Sequence, residues 1–148
     1  ELLRIGELCQ KYNVFLVSDE IHEDLTRVGQ AHLPIAMLFQ DATNQLTCTS
    51  PSKTFNIAGN NHAHIIVPDE RIRAEISHSA YCGHPGALSI DASMAAYDES
   101  EDWLEELRVY LDGNFAMMRA LLADKLPNAA FSVPEGTYLG FVDLRGYC

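Results

Sequence analysis

Positive charge is scarce in this sequence. Ten Lys and Arg stand against 21 Asp and Glu in 148 residues, a net charge of −11. Binding to nucleic acid needs clustered cations that neutralise phosphates, so this balance argues against a nucleic-acid partner. No apolar run approaches the roughly 20 residues of a membrane-spanning helix, and no secretory signal pattern opens the chain. There is no CxxC pair. Cys9, Cys48, Cys82 and Cys148 are scattered, which reads as reduced thiols of a cytoplasmic protein rather than a disulfide framework. Internal repeats and low-complexity tracts are absent. Lysine is rare as well: the first hundred residues hold only Lys11 and Lys53.

What is present is enough apolar material, 47% of residues, to build a real core. The chain starts at Glu1, already inside a helical pattern, and stops at Cys148, a few residues past a strand pattern. The expectation is a piece of a longer polypeptide. Leu2, Ile5, Leu8, Cys9 and Tyr12 share one helical face, and Asn13 is a helix stop. Val14 to Val17 runs apolar without alternation, as a strand buried on both faces of a parallel sheet does. Ile35 to Phe39 is a short apolar stretch, and Leu46–Thr49 and Ala63–Val67 are further strand candidates. Asp69 caps the next helix, and residues 87–97 form a helix of small residues. Ser100 caps a long helix with a stripe of Leu104, Leu107, Leu111, Phe115, Met118 and Leu122, which Pro127 stops. Phe131–Val133 and Tyr138–Asp143 read as strands around a turn. The class is α/β.

Two strand ends carry chemistry. In open α/β sheets ligands bind beyond the carboxyl ends of the strands. Asp19 and Glu20 follow one candidate strand; Ser50-Pro51-Ser52-Lys53-Thr54-Phe55-Asn56 follows another. A lysine amine can hold an aldehyde cofactor as a Schiff base. Pyridoxal phosphate also needs a carboxylate at its ring nitrogen and donors for its phosphate. Asp19, Lys53, Ser50 and Ser52 are of these types. The same residue types also fit a surface lysine in a polar loop. His62/His64 and Cys82/His84 offer zinc-ligand atoms, at a spacing that matches no common zinc pattern; no metal is assigned.

The segments Val17-Ser18-Asp19-Glu20-Ile21-His22-Glu23-Asp24-Leu25 and Thr49-Ser50-Pro51-Ser52-Lys53-Thr54-Phe55-Asn56-Ile57-Ala58-Gly59 together resemble the pyridoxal phosphate-dependent enzymes of fold type I. The match is nearest to the cystathionine β-lyase (C–S lyase) branch of the class I/II aminotransferase-like family, the MalY/PatB type. Ala95-Ala96-Tyr97, Trp103-Leu104 and Pro134-Glu135-Gly136-Thr137-Tyr138 extend the likeness along the chain. The resemblance implies a mainly parallel sheet flanked by helices. It assigns residues 1–100 to the later part of a large cofactor-binding domain, and 101–148 to a bridging helix and the start of a small α+β domain. It implies Lys53 as the cofactor-holding lysine and proton shuttle, Asp19 at the pyridinium nitrogen, His22 where aminotransferases place a tyrosine against the ring hydroxyl, and Ser50 and Ser52 at the phosphate. Eight residues after the lysine, where many aminotransferases carry a phosphate-binding arginine, this sequence has Asn61. The family's phosphate loop, ring-stacking aromatic residue and substrate-carboxylate arginine are not in this sequence. The implied parent enzyme is a homodimeric C–S β-lyase acting on a sulfur amino acid, with an aminotransferase as the alternative and a non-catalytic regulatory domain of the same fold behind both. Activity is expected of the parent and not of this piece alone.

Overall fold

The computed structural model describes residues 1–79 and 83–148, so Cys82 and its pairing with His84 lie outside the described residues. The chain forms two compact units, residues 1–21 with 33–99 and residues 22–32 with 100–148.

In the first unit, helix α1 (Leu2–Lys11) does not bury its apolar stripe. Leu2, Ile5, Leu8 and Tyr12 remain 43, 47, 36 and 64% exposed. The buried position is Gly6, where the missing side chain lets the Phe39 ring lie against the helix backbone. Asn13 ends the helix at φ +51°, the left-handed conformation that asparagine tolerates. The Val14 N–H then returns to the Cys9 carbonyl at 2.8 Å. This exit uses up Asn13 to Phe15, so strand β1 is Leu16–Asp19 rather than the apolar run 14–17. It alternates: Leu16 and Ser18 are half-buried, while Val17 is 59% exposed and Asp19 is exposed. The expected burial on both faces is corrected to burial on one.

Strand β2 (Gln45–Thr49) pairs with β1 in parallel, Leu16 opposite Gln45 and Asp19 opposite Cys48. Strand β3 (His64–Ile66) returns antiparallel to β2, with Thr49 opposite His64, giving the order β1-β2-β3. The apolar stretch at 35–39 forms the short helix α2 (Ile35–Leu38), and Ile35 is 2% exposed. A single turn, α3 (Pro51–Thr54), follows β2 directly. Asp69 caps α4 (Glu70–Ser79), its Oδ1 accepting from the Arg71 and Ile72 N–H groups at 2.9 and 3.0 Å. Helix α5 (Ala87–Glu99) turns inward the small residues Ser89, Ser93 and Ala96.

In the second unit, α6 (Glu101–Lys125) runs 25 residues, with Phe115 5% exposed at the centre of its stripe. Leu104, Leu107, Leu111, Met118 and Leu122 are half-buried, whereas Met117 and Leu121 on other faces are 61 and 53% exposed. Ser100 occupies the cap position, but its side chain makes no capping hydrogen bond. The first turn is instead closed by its carbonyl, which accepts from Leu104 N–H at 3.0 Å, and Glu101 and Asp102 suit the positive end. Strands β4 (Ala130–Phe131) and β5 (Val142–Asp143) pair antiparallel and are shorter than the segments expected. The intervening residues form a turn bound to the segment 25–27: Gly136 bridges Thr26, and Arg27 N–H donates to the Glu135 carbonyl at 2.9 Å. No described helix is long and apolar enough to cross a membrane.

Two predictions follow from the first unit. Gly6→Ala is expected to destabilise the protein by about 1–3 kcal/mol through overpacking, although glycine to alanine in a helix normally stabilises by roughly 0.5–1 kcal/mol. Denaturant unfolding checks this, and trimming Phe39 to Ala in the same chain should remove the penalty. The second concerns Asp69. The hydrogen bond from Ile72 N–H is the largest effect and holds its carboxyl below the ordinary value; burial opposes it, and the Arg71 N–H and charge lower it further by smaller amounts. A folded value below the unfolded one means the cap stabilises above the unfolded value and is lost as pH falls through the folded one. Amide protection at Arg71 and Ile72, corrected for intrinsic exchange, should drop between about pH 5 and 2. Protection in Asp69→Asn should show no such drop.

Candidate active site

The site grows from one residue that changes the backbone from strand to helix. After β2, Ser50 stays extended at φ −167° and caps α3, with Pro51 supplying the preset φ of a first helical position. The Ser50 Oγ accepts from Ser52 N–H at 3.1 Å and donates to the His62 carbonyl at 2.6 Å, and the residue is 2% exposed. The Ser52 hydroxyl lies 2.8 Å from it. Pro51 and Thr54 are buried and anchor the turn. Ser52 and Lys53, between them, are half-buried. Among the described residues the Lys53 amine takes part in no hydrogen bond or ion pair. Asn56 at φ +56° then leads the chain away, and Phe55 meets the Tyr97 ring edge-on at 5.5 Å.

The loop behind the turn is tied to α5. A 3-10 turn (Ala58–Asn60) ends at Asn61 in the left-handed conformation, φ +50°. The Asn60 carbonyl accepts from Ser89 Oγ at 2.6 Å, and His62 Nδ1 lies 2.6 Å from Ser93 Oγ. The His62 and His64 rings are 4.7 Å apart. One nitrogen of His62 is thus engaged by Ser93 in holding this loop.

Asp19 closes β1 at the same end of the parallel pair. Its Oδ1 accepts from Ile21 N–H at 3.3 Å, and it forms no ion pair among the described residues. Its register partner is Cys48, whose thiol is pushed up first by burial and second by the Asp19 charge. Glu20, the other carboxylate expected at this strand end, turns the opposite way. It is 6% exposed and accepts from Ser18 Oγ at 2.8 Å and Ile35 N–H at 3.1 Å, so it holds the fold together.

His22 belongs to the second unit. Its Nδ1 is 3.0 Å from Thr137 Oγ1, and its ring meets Tyr138 edge-on at 5.3 Å. Ser50, Ser52, Lys53 and Asp19 lie at one end of the β1–β2 pair within the first unit; His22 is fixed separately. Sequence reading quoted Thr137 without a role and passed over Arg27 and Arg108. Arg27, with its side chain 10% exposed, pairs with Asp112 at 3.2 Å and stacks over Phe115 at 4.7 Å. Arg108 holds the Thr26 and Gln30 carbonyls at 3.0 and 3.2 Å. A lone arginine leaves no periodic signal, and Arg27 lies just beyond the segment that ends at Leu25.

Chemically, the first unit offers an amine free to condense with an aldehyde and a carboxylate free to meet a cationic ring. Ser50, Ser52 and Thr54 bring hydroxyls on the same turn and its cap. Residues 1–147 match the family model described as aminotransferase class I and II. The chain is 41% identical to cystathionine beta-lyase PatB of Bacillus subtilis, over 99% of this chain and 39% of that protein. It is 33% identical to protein MalY of Escherichia coli, over 98% of this chain and 38% of that one. Among solved structures, the PLP-bound C-S lyase from Staphylococcus hominis superposes with a TM-score of 0.92 at 40% identity, covering 97% of this chain and 37% of that chain. The chain spans less than half the length of each of these relatives.

The Asp19–Cys48 pair gives a direct test of the site's electrostatics. Alkylation of Cys48 is expected to need a higher pH than alkylation of an ordinary thiol. Asp19→Asn should move that pH dependence down while leaving the burial effect in place. An unchanged profile would mean that the carboxylate does not face the thiol.

Proposed function

We propose that this chain, which belongs to the aminotransferase class I and II family, is the lysine-bearing part of a pyridoxal 5'-phosphate-dependent C–S β-lyase. The observation that carries the reading is the Lys53 amine. It is half-buried on a turn that immediately follows a parallel strand, and no described group engages it. A lysine held this way without a partner is poised for covalent chemistry rather than for an ion pair. The similarity to PatB and to the Staphylococcus hominis lyase supports the same assignment, and the fold is that of fold-type I enzymes.

The donor set fits the cofactor. Lys53 is the group to hold its aldehyde, Asp19 to keep its ring nitrogen protonated, and His22 to donate to its ring oxygen. Ser50 and Ser52 are the candidate phosphate donors; with the Ser50 Oγ proton on the His62 carbonyl, the Ser52 hydroxyl donates to Ser50 Oγ, and either would turn its proton to a phosphate only by giving up that bond. The bound cofactor supplies an electron sink for the pair left at the substrate Cα. Lys53 takes the Cα proton. Departure of a sulfur group from Cβ then releases a thiol, and hydrolysis leaves a keto acid and ammonia. The second reading, an aminotransferase, is favoured by the description of the matching family, and Lys53 and Asp19 serve it equally. Histidine at position 22 in place of tyrosine favours the lyase.

In this proposal residues 1–100 belong to a large cofactor-binding domain and 101–148 to a bridging helix and the start of a small domain. The parent works as a cytoplasmic homodimer on a sulfur-containing amino acid, and this chain alone does not turn over substrate. The unpaired thiols of Cys9, Cys48 and Cys148 are compatible with that compartment.

The test uses the parent protein. Borohydride reduction followed by peptide mapping should place a pyridoxyl group on Lys53. Lys53→Ala should lower thiol release from cystathionine by at least about 10²–10⁴-fold. Amino-group transfer to a keto acid without thiol release would select the aminotransferase, and the absence of any label would overturn both readings.

A further inference from the structure

Thr137 has the least comfortable backbone in the second unit. Its φ is +68°, a region that a β-branched residue rarely enters. Such a residue persists only where its surroundings over-determine it, and here every polar group of Thr137 is engaged. Its N–H donates to the Leu25 carbonyl at 2.7 Å. Its carbonyl accepts from Arg27 Nη2 at 2.6 Å. Its Oγ1 accepts from Leu139 N–H at 3.3 Å and lies 3.0 Å from His22 Nδ1. The support behind it is rigid: Leu25 is fully buried, and Arg27 is held by Phe115 and Asp112. Glycine would adopt this φ freely, but it would bring no hydroxyl.

From this geometry we infer that Thr137 is a positioning residue that fixes His22 as the tautomer carrying its proton on Nε2. A hydroxyl has one proton and two lone pairs. At Thr137 one lone pair takes the Leu139 N–H; the contact with His22 Nδ1 can be made by the remaining lone pair or by the proton, and we assign it to the proton because Nδ1 is the only acceptor in contact with that proton among the described residues. With Nδ1 accepting, the neutral ring must carry its own proton on Nε2. His22 then presents an N–H donor, the same polarity that a tyrosine O–H presents. The hydroxyl of the strained threonine thus sets that polarity. The edge-on contact with Tyr138 limits rotation of the ring. This inference rests on the reading above in one respect only, the acceptor toward which the donor is used, which is the ring oxygen of the cofactor.

The experiment compares the parent protein with Thr137→Val, Thr137→Ser and Thr137→Gly. Imidazole 15N shifts of His22 in cofactor-free protein, assigned with His22→Asn, read the tautomer directly. Wild type and Thr137→Ser should show the Nε2–H form. Thr137→Val, which keeps the shape without the hydroxyl, should show a mixture and a kcat lowered roughly 10- to 100-fold, as misplacement of a reacting group typically does, with KM within about twofold of wild type. Thr137→Gly should show the same loss of tautomer and rate at an undiminished melting temperature, which separates positioning from folding. An unchanged tautomer in Thr137→Val or Thr137→Gly, or a failure of Thr137→Ser to restore it, overturns the proposal. The tautomer is read without cofactor, so its outcome stands even if borohydride labels no lysine and the functional reading falls.

Discussion

The first unit depends on the register between β1 and β2. Because side chains alternate along a strand, a slip of one residue would exchange its two faces. At the end of the pair the Glu20 N–H donates to the Cys48 carbonyl at 2.8 Å, while on the covered side Ser18 and Ile35 N–H both donate to the buried Glu20 carboxylate. With Glu20 committed there, Asp19 must point the other way, level with Cys48. The next residues of β2 then bring Ser50 and Lys53 past the end of the sheet. One buried carboxylate thus decides where its neighbour goes, and the candidate site follows from that alignment.

Legibility in the sequence tracked how local the controlling physics was. The turn at Ser50-Pro51 carries a local signal, a cap and a proline within three residues, although only a polar loop was expected there. The Asp69 cap and the stripe around Phe115 were readable from equally local signals, one through side-chain chemistry and the other through period. The start of β1 was not, since an apolar run does not reveal how many residues a helix exit consumes. The short β4 and β5 were not, because the turn between them is held by residues 25–27, over a hundred positions earlier. Ser100 shows the limit of residue type alone: it has the right chemistry at the right position and makes no cap. In the candidate site, Lys53 and Asp19 could be named from their residue types at strand ends. The inward turn of Glu20 could not, because its partner is the Ile35 backbone.

In the second unit a buried charge, Arg27, lies among the apolar residues Leu25 and Phe115. Arg27 lies over the Phe115 ring, and one of its amino groups bonds the Thr137 carbonyl. Its other amino group is 3.2 Å from Asp112 Oδ1 without hydrogen-bond alignment, and its Nε has no hydrogen-bond partner among the described residues. Such an arrangement is a poor source of net stability, because desolvation offsets the attraction. Its value lies in uniqueness: the guanidinium satisfies the 134–139 turn in one placement. Arg108 does the same for the 26–30 segment, binding the carbonyls of Thr26, Arg27 and Gln30.

Val17 and Asp19 share the open face of β1, and on β2 the corresponding positions are Leu46 and Cys48. A carboxylate therefore sits at the border of an apolar strip. In this chain water reaches that strip and damps the field of Asp19. Anything laid over Val17 and Leu46 would exclude water from the carboxylate's surroundings and lower the local dielectric constant. The attraction of Asp19 for a cationic ring grows as that constant falls. The exposed valine is thus a lever on the strength of the charge two residues away.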